Sequence, residues 1–291
     1  MATSKPKPKL LVIVGPTASG KSDLAFKVAK EFNGEIIAAD SRTIYKDLDV
    51  GTAKPTMKER AAVAHWGLDL VEPGGSFTVA DFKKYAQAKI QEIQTRGRLP
   101  ILVGGTGLYI DSVLFDFDFR SKGSKEQRDD LEKLGIDQLH DIINKNNYPW
   151  PENLQNKRHL IRIIETAGAL STKAAIRPDA LVIGLLPSDK ALQSRIDKRA
   201  DKIFSNGVMK EYKSLVRKWP GVPAQNVGIV YKLCSQILAG GLTEEEAKQK
   251  FKKLDWQYAR RQRTWFRRND HIHWFENGLA AKTFLKNRLN T

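Results

Sequence analysis

Eight residues, Gly15-Pro16-Thr17-Ala18-Ser19-Gly20-Lys21-Ser22, constrain the fold of this chain more than any others. They satisfy the phosphate-loop pattern G-x-x-x-x-G-K-[ST] at every fixed position. The flanks agree with it. Residues 10–14 are a short apolar run of strand character, and 22–32 carry Leu24, Ala25, Val28, Ala29 and Phe32 at helical spacing. A strand, a glycine loop and a helix in that order form an anion site. Amides at the helix start point at phosphate oxygens, and the helix dipole favours negative charge. Gly15, Thr17, Ala18, Ser19 and Gly20 would line such a site, Lys21 would reach the outer phosphates, and Ser22 would hold a magnesium ion (Mg2+). A chance glycine turn would not need these flanks. The expected ligand is a di- or triphosphate, and the loop does not say which.

Strand and helix signals then alternate. Strands are expected at 35–38 and 100–103, ending at Asp40-Ser41-Arg42 and Gly104-Gly105-Thr106-Gly107, with a helix over 79–96 between them. Apolar strands alternating with helices predict an α/β fold: a P-loop NTPase-like parallel sheet flanked by helices. In such sheets ligands collect outside the carboxyl ends of the strands, so three loops should converge there. Near Asp116 the chain turns polar, charged and mostly helical, and a strand signal returns at 180–186. The expected organisation is a catalytic core of 1–115 and 180–291 with a small helical insertion domain, 116–179. Helices are expected at 191–204, 207–219, 229–239 and 243–268.

No apolar run approaches a membrane span, and the Lys/Pro-rich first nine residues do not read as a secretory leader. With the single cysteine, Cys234, this predicts a cytoplasmic protein without a disulfide framework or cysteine zinc site. The five histidines show no metal-ligand spacing. Lys plus Arg number 49 against 33 Asp plus Glu, a net charge of +16. Such a field attracts polyanions, although a solubilising surface has the same composition.

Asp40, at a strand's carboxyl end, can hold magnesium through water, act as a general base, or cap the following turn. Thr106 can bond a phosphate or an acceptor, or cap a helix. Residues 260–268 hold five arginines with no carboxylate among them. On a helix Arg260, Arg263 and Arg267 share one face, while Phe251, Leu254, Tyr258 and Trp265 form a stripe expected to be core. The arginine face suits phosphate by its fork geometry; a solvated face is the alternative. Arg195 and Arg199 lie one turn apart on another helix, and one of them can complete the phosphate site.

Together Gly-Pro-Thr-Ala-Ser-Gly-Lys-Ser at 15–22, Asp-Ser-Arg-x-x-Tyr at 40–45, Asp-x-Gly-Thr-Ala-Lys-Pro at 49–55, Leu-Val-Gly-Gly-Thr-Gly-Leu-Tyr at 102–109 and Arg-Arg-Gln-x-Thr-Trp-Phe-Arg at 260–267 resemble the tRNA dimethylallyltransferase (tRNA isopentenyltransferase) family. The resemblance runs from about residue 10 to 275. It implies transfer of a dimethylallyl group from dimethylallyl diphosphate to N6 of the adenosine on the 3′ side of the anticodon, with magnesium assisting. It implies Asp40 as the base, Thr106 beside the reacting groups and Arg199 on the diphosphate. It places the tRNA anticodon stem-loop against Ser41, Arg42, Thr43, Arg158, Arg260, Arg261, Gln262, Arg263 and Arg267, with the insertion as a clamp. The sequence departs from the family pattern at Thr43, at Val230 before Tyr231-Lys232, at Trp256, and around Arg158-His159. A monomer is the expected state. Rival readings are a phosphate-loop small-molecule kinase, an adenylate isopentenyltransferase acting on free nucleotide, and a non-catalytic RNA-binding module with a nucleotide switch. The absence of Asn-Lys-x-Asp argues against a GTPase.

Overall fold

The computed structural model describes residues 8–117, 119, 123–169 and 174–290. Residues 1–7 of the Lys/Pro-rich tail and Arg120 of the expected insertion lie outside them. In chain order the elements are β1 Leu10–Val14, α1 Lys21–Glu31, β2 Gly34–Ala39, α2 Met57–Ala62, β3 His65–Trp66, α3 Val79–Thr95, β4 Leu99–Gly104, α4 Gly107–Leu114, α5 Lys125–Lys133, α6 Ile136–Lys145, α7 Lys157–Glu165, β5 Ala180–Leu185, α8 Asp189–Ser205, α9 Val208–Lys218, α10 Ala224–Val227, α11 Ile229–Leu238, α12 Glu244–Phe266, β6 His273–Phe275 and α13 Gly278–Leu289. The strands form one six-stranded parallel sheet in the order β3-β2-β4-β1-β5-β6. This is the P-loop NTPase-like architecture expected from the sequence.

Burial on both faces explains why the central strands read as unbroken apolar runs. All five residues of β1 are buried. Leu11 and Ile13, with Ile101 of β4 and Ile183 of β5, pack against Leu24 and Val28 of α1 and Leu285 of α13. A second cluster joins α8, α9, α11 and α12 through Phe204, Tyr212, Leu215, Tyr231 and Phe251. Phe115–Ala175 form a separate compact unit, against 116–179 expected for the insertion. Its own small core is built by Leu131, Leu139, Ile143, Leu160 and Ile164.

The segment after β2 contains no strand or helix until α2, yet it is held firmly. The Glu211 carboxylate on α9 accepts hydrogen bonds from the amides of Asp49 (2.7 Å), Val50 (2.8 Å) and Gly51 (2.9 Å), and from the Tyr231 hydroxyl (2.7 Å). Gly51 lies so close to Tyr231 that a Cβ there would come within 2.5 Å of its ring. The Asp-x-Gly-Thr-Ala-Lys-Pro stretch is therefore a carboxylate-clamped loop.

Replacing Glu211 with Ala strands three amides and a phenol at once. We expect Glu211→Ala to lower the unfolding free energy by about 2–4 kcal/mol, the range for breaking a buried charged hydrogen-bond network. Chemical denaturation of the variant beside the parent checks this.

Candidate active site

The site grows from the register of the parallel strands. Gly104, the last residue of β4, is paired with Val14 of β1 on one side and Ala39 of β2 on the other. The loops starting at Gly15, Asp40 and Gly105 therefore leave the sheet at one level, side by side.

In the first loop, α1 opens on Gly20, which has no side chain to cap it. The amides of the first helical turn have no intrahelical acceptor, so the turn is left for an anion. Gly15 sits at φ 150°, where a Cβ would meet the Leu185 carbonyl at 2.6 Å. Lys21 donates to the Pro16 carbonyl at 3.0 Å, folded back across its own loop. Burial of its ammonium lowers the Lys21 pKa to about 8, with Asp40 opposing that shift and Arg199 adding to it. The hydroxyl of Ser22 is exposed at the helix start. Among the described residues no three His, Cys, Asp or Glu side chains converge as a metal cage. A magnesium ion here would share the oxygens of a bound diphosphate with Ser22, the donor pattern such ions favour, and these residues fit one.

The second and third loops are bonded to each other. The Ser41 amide donates to Thr106 Oγ1 (3.1 Å), so the threonine hydroxyl points across to the Asp40 loop and does not cap α4. One Asp40 carboxylate oxygen accepts from the Arg42 amide at 2.8 Å. Its charge also bears on Lys21 and on the phenols of Tyr109 and Tyr258. Both phenols are pushed up to about 12, chiefly by burial, so they stay neutral near pH 7. Tyr258 lies near enough to Thr106 for that side chain to offset part of the burial effect on its phenol. Tyr258, expected in the core stripe, is half-buried, while Tyr109, for which the sequence suggests no role, is buried on α4. The position of Tyr109 directly after the glycine loop is a signal the sequence carries; the approach of Tyr258 to that loop is not.

Several expected positions are corrected. Gln262 does not face solvent. It is 5% exposed, accepts from the Thr17 amide at 2.8 Å and donates to the Gly105 carbonyl at 2.9 Å. Both ends of its amide are used inside the protein, which removes it from the RNA-facing set. Thr43 is 7% exposed and donates its hydroxyl to the Asp40 carbonyl (3.3 Å), so it shapes the Asp40 turn instead of offering a surface. Arg263 is half-buried and ion-paired with Asp189 of α8. Trp265, expected in the core, is exposed and donates to Asp111 at 2.9 Å.

Arg199 pairs with buried Asp255 at 2.7 Å, which aims the guanidinium from α8 toward α12 while its charge still reaches Lys21. Its neighbour Arg195 donates directly to the Ser19 carbonyl of the phosphate loop at 2.8 Å. Arg42, Arg158, Arg260, Arg261 and Arg267 are exposed. Arg42 donates to the Asn226 carbonyl, and Arg261 lies over the Tyr258 ring at 5.7 Å. Arg260, Arg261 and Arg268 line a shallow surface depression of about 410 Å³ with Gln257, Thr264 and Trp265. Arg158 stands in the first turn of α7, within the insertion.

Residues 43–269 match the family described as IPP transferase. The chain belongs to that family. It is 35% identical over 304 residues to a tRNA dimethylallyltransferase of Staphylococcus haemolyticus, covering 98% of this chain and 92% of the relative. The crystal structure of a full-length tRNA isopentenylpyrophosphate transferase from Bacillus halodurans is 35% identical, with a TM-score of 0.74 over 98% of this chain and 97% of that one. A eukaryotic dimethylallyltransferase solved while acting on tRNA has a TM-score of 0.79 over 96% of this chain and 80% of that one; at 24% identity the likeness is one of fold. No helix of the described residues is long and apolar enough to cross a membrane.

The lowered Lys21 pKa gives a pH signature. An anion bound beside Lys21 favours its protonated form, so above pH 8 binding must take up a proton. The lysine's contribution to inorganic diphosphate affinity, read as the difference between the parent and a Lys21 variant so that the ligand's own titration cancels, should change little from pH 7 to 8 and then fall by up to about tenfold per pH unit. Lys21→Met should bind more weakly and without that dependence. Titration calorimetry across pH 7–10 reads both.

Proposed function

We propose that this chain transfers a dimethylallyl group from dimethylallyl diphosphate to N6 of the adenosine 3′-adjacent to the anticodon of tRNA, releasing diphosphate. The observation that carries the reading is the bond between the Thr106 hydroxyl and the Asp40 loop, beside a phosphate loop whose lysine feels the Asp40 charge. A leaving-group pocket and an acceptor-activating pair thus adjoin.

The chemistry follows from these residues. Breaking the allylic C–O bond loads negative charge on the diphosphate oxygens, and the α1 amides and Lys21 stabilise it as it develops. Arg195 and Arg199 extend that positive field from α8. Magnesium, when bound with the substrate through Ser22, would neutralise further charge on the same oxygens. The adenine amine is a poor nucleophile because its lone pair is delocalised. It gains a proton acceptor in the free oxygen of Asp40 and a hydrogen-bond partner in Thr106. No phosphoryl group moves; the bond broken is carbon to oxygen, the bond formed carbon to nitrogen, and the amine proton leaves by Asp40.

The base must leave the anticodon-loop stack to reach these groups. Arg42, Arg260, Arg261 and Arg267 would hold RNA phosphates around the opening, and Arg158 would act from the insertion. Ser41, whose amide is already spent on Thr106, would contact the RNA through its side chain. The protein would act as a monomer on one tRNA.

The deciding experiment supplies labelled dimethylallyl diphosphate, magnesium and unmodified tRNA, with ATP and a small-molecule acceptor in parallel. Label should enter the RNA. Label on free AMP would move the activity to the nucleotide prenyltransferases, and phosphate transfer from ATP would make the protein a kinase. Asp40→Asn should slow transfer by about 10²–10⁴-fold, the usual contribution of a positioned base, while tRNA binding is retained. Arg260→Glu with Arg261→Glu should weaken tRNA binding uniformly and reduce the salt slope by about 2. An unchanged slope would make that face mere surface.

A further inference from the structure

Gln262 is a buried polar side chain on α12, and both ends of its amide are used within the protein. Its side chain spans two loops that are far apart in sequence. Oε1 accepts the Thr17 amide of the phosphate loop, and Nε2 donates to the carbonyl of Gly105, the residue before Thr106. The fit leaves no slack: a Cβ on Gly105 would lie 2.1 Å from Gln262 Nε2. One turn along the same helix Trp265 holds the other side of that loop. Its ring covers Gly107, where a Cβ would come within 2.2 Å, and its indole nitrogen bonds Asp111 on α4. Tyr258, one turn before, stands beside Thr106. Gln262 and Trp265, on successive turns of α12, therefore grip the loop carrying Thr106, and of the two it is Gln262 that is also hydrogen-bonded to the phosphate loop.

We propose that Gln262 is a positioning residue which fixes the distance between the leaving diphosphate and the acceptor amine by tying the phosphate loop to the Thr106 loop. The proposal rests on the transferase reading above. Its amide reaches neither reacting group; it sets where the two loops that do so stand. Near-attack geometry is steep in distance, and a shift of about 1 Å in a supporting group lowers rate by about 100-fold. A loosened Thr106 loop also admits water to the ionising donor. Water then attacks the allylic carbon, giving dimethylallyl alcohol, diphosphate and a proton in place of prenylated RNA.

Two variants test this: Gln262→Met, which removes both bonds at similar volume, and Gln262→Glu, which keeps an acceptor for Thr17 but sets an oxygen against the Gly105 carbonyl. Both should bind inorganic diphosphate with magnesium within about threefold of the parent, since no ligand contact is lost, while RNA prenylation falls by about 100-fold at saturating substrates. The share of consumed donor recovered as dimethylallyl alcohol should rise. Amide hydrogen exchange provides a readout independent of turnover. In the parent, adding magnesium and diphosphate should slow exchange in 15–22 and also in 104–109; in both variants the slowing should stop at 15–22. Unchanged prenylation, a diphosphate affinity that falls in step with rate, or a parent in which 104–109 does not respond would overturn the proposal. A parent that shows coupled exchange but never prenylates RNA would instead overturn the transferase reading and leave the loop coupling standing.

Discussion

The pairing of Gly104 with both Val14 and Ala39 is the constraint from which the site follows. Because β4 lies between β1 and β2 in a parallel sheet, three strands end together and pass their loops into one crevice. Ligand binding at the carboxyl ends of such strands is general. What is particular here is that the crevice has two chemistries in it. The β1 loop offers amides and a lysine to an anion, whereas the β2 and β4 loops offer a carboxylate and a hydroxyl, the carboxylate accepting from the Arg42 amide and the hydroxyl from the Ser41 amide. The space between Gly104 and Ala39 is too tight for any side chain, since a Cβ on Gly104 would stand 2.0 Å from the Ala39 carbonyl.

A second layer holds this crevice in shape. The helix α12 carries Asp255, Tyr258, Gln262 and Trp265 at successive turns. Asp255 pairs with Arg199, Gln262 bonds the two loops and Trp265 bonds Asp111, while Tyr258 stands beside Thr106. The same helix shows Arg260 and Arg261 to solvent, and its C-cap residue Arg267 is exposed too. One element thus presents positive charge outward and sets active-site geometry inward. Its first turn is acidic, with Glu244, Glu245 and Glu246 beside a capping box from Thr243 to Glu246, as the helix dipole favours.

The architecture was legible in the sequence because buried parallel strands and amphipathic helices leave strong periodic traces. β1, β2, β4 and β5 and the long helices stand within a few residues of where patterning put them. The edge strands β3 and β6 were missed, being two and three residues long, too short to show a period. The phosphate loop and the Asp40 and Thr106 turns were legible because their chemistry is local. Gln262, Arg263 and Trp265 were misjudged for the opposite reason. A helical projection gives faces but not the neighbour that covers each face, and Arg263 finds its carboxylate at Asp189, on a different helix. The Glu211 clamp was equally hidden: a glutamate in the first turn of α9 carries no sign that it serves a loop 160 residues earlier.

The stem of the insertion has its own meaning. The amide of Arg177 donates to the Leu114 carbonyl at 2.9 Å, and that of Ala174 to the Phe115 carbonyl at 2.9 Å, so the outgoing and returning chains run hand in hand. The entropy of closing that excursion is met at its neck, and it grows only slowly with the number of residues beyond. A neck closed in this way tolerates an appendage of any length beyond it, like a graft on rootstock, at little further entropic cost.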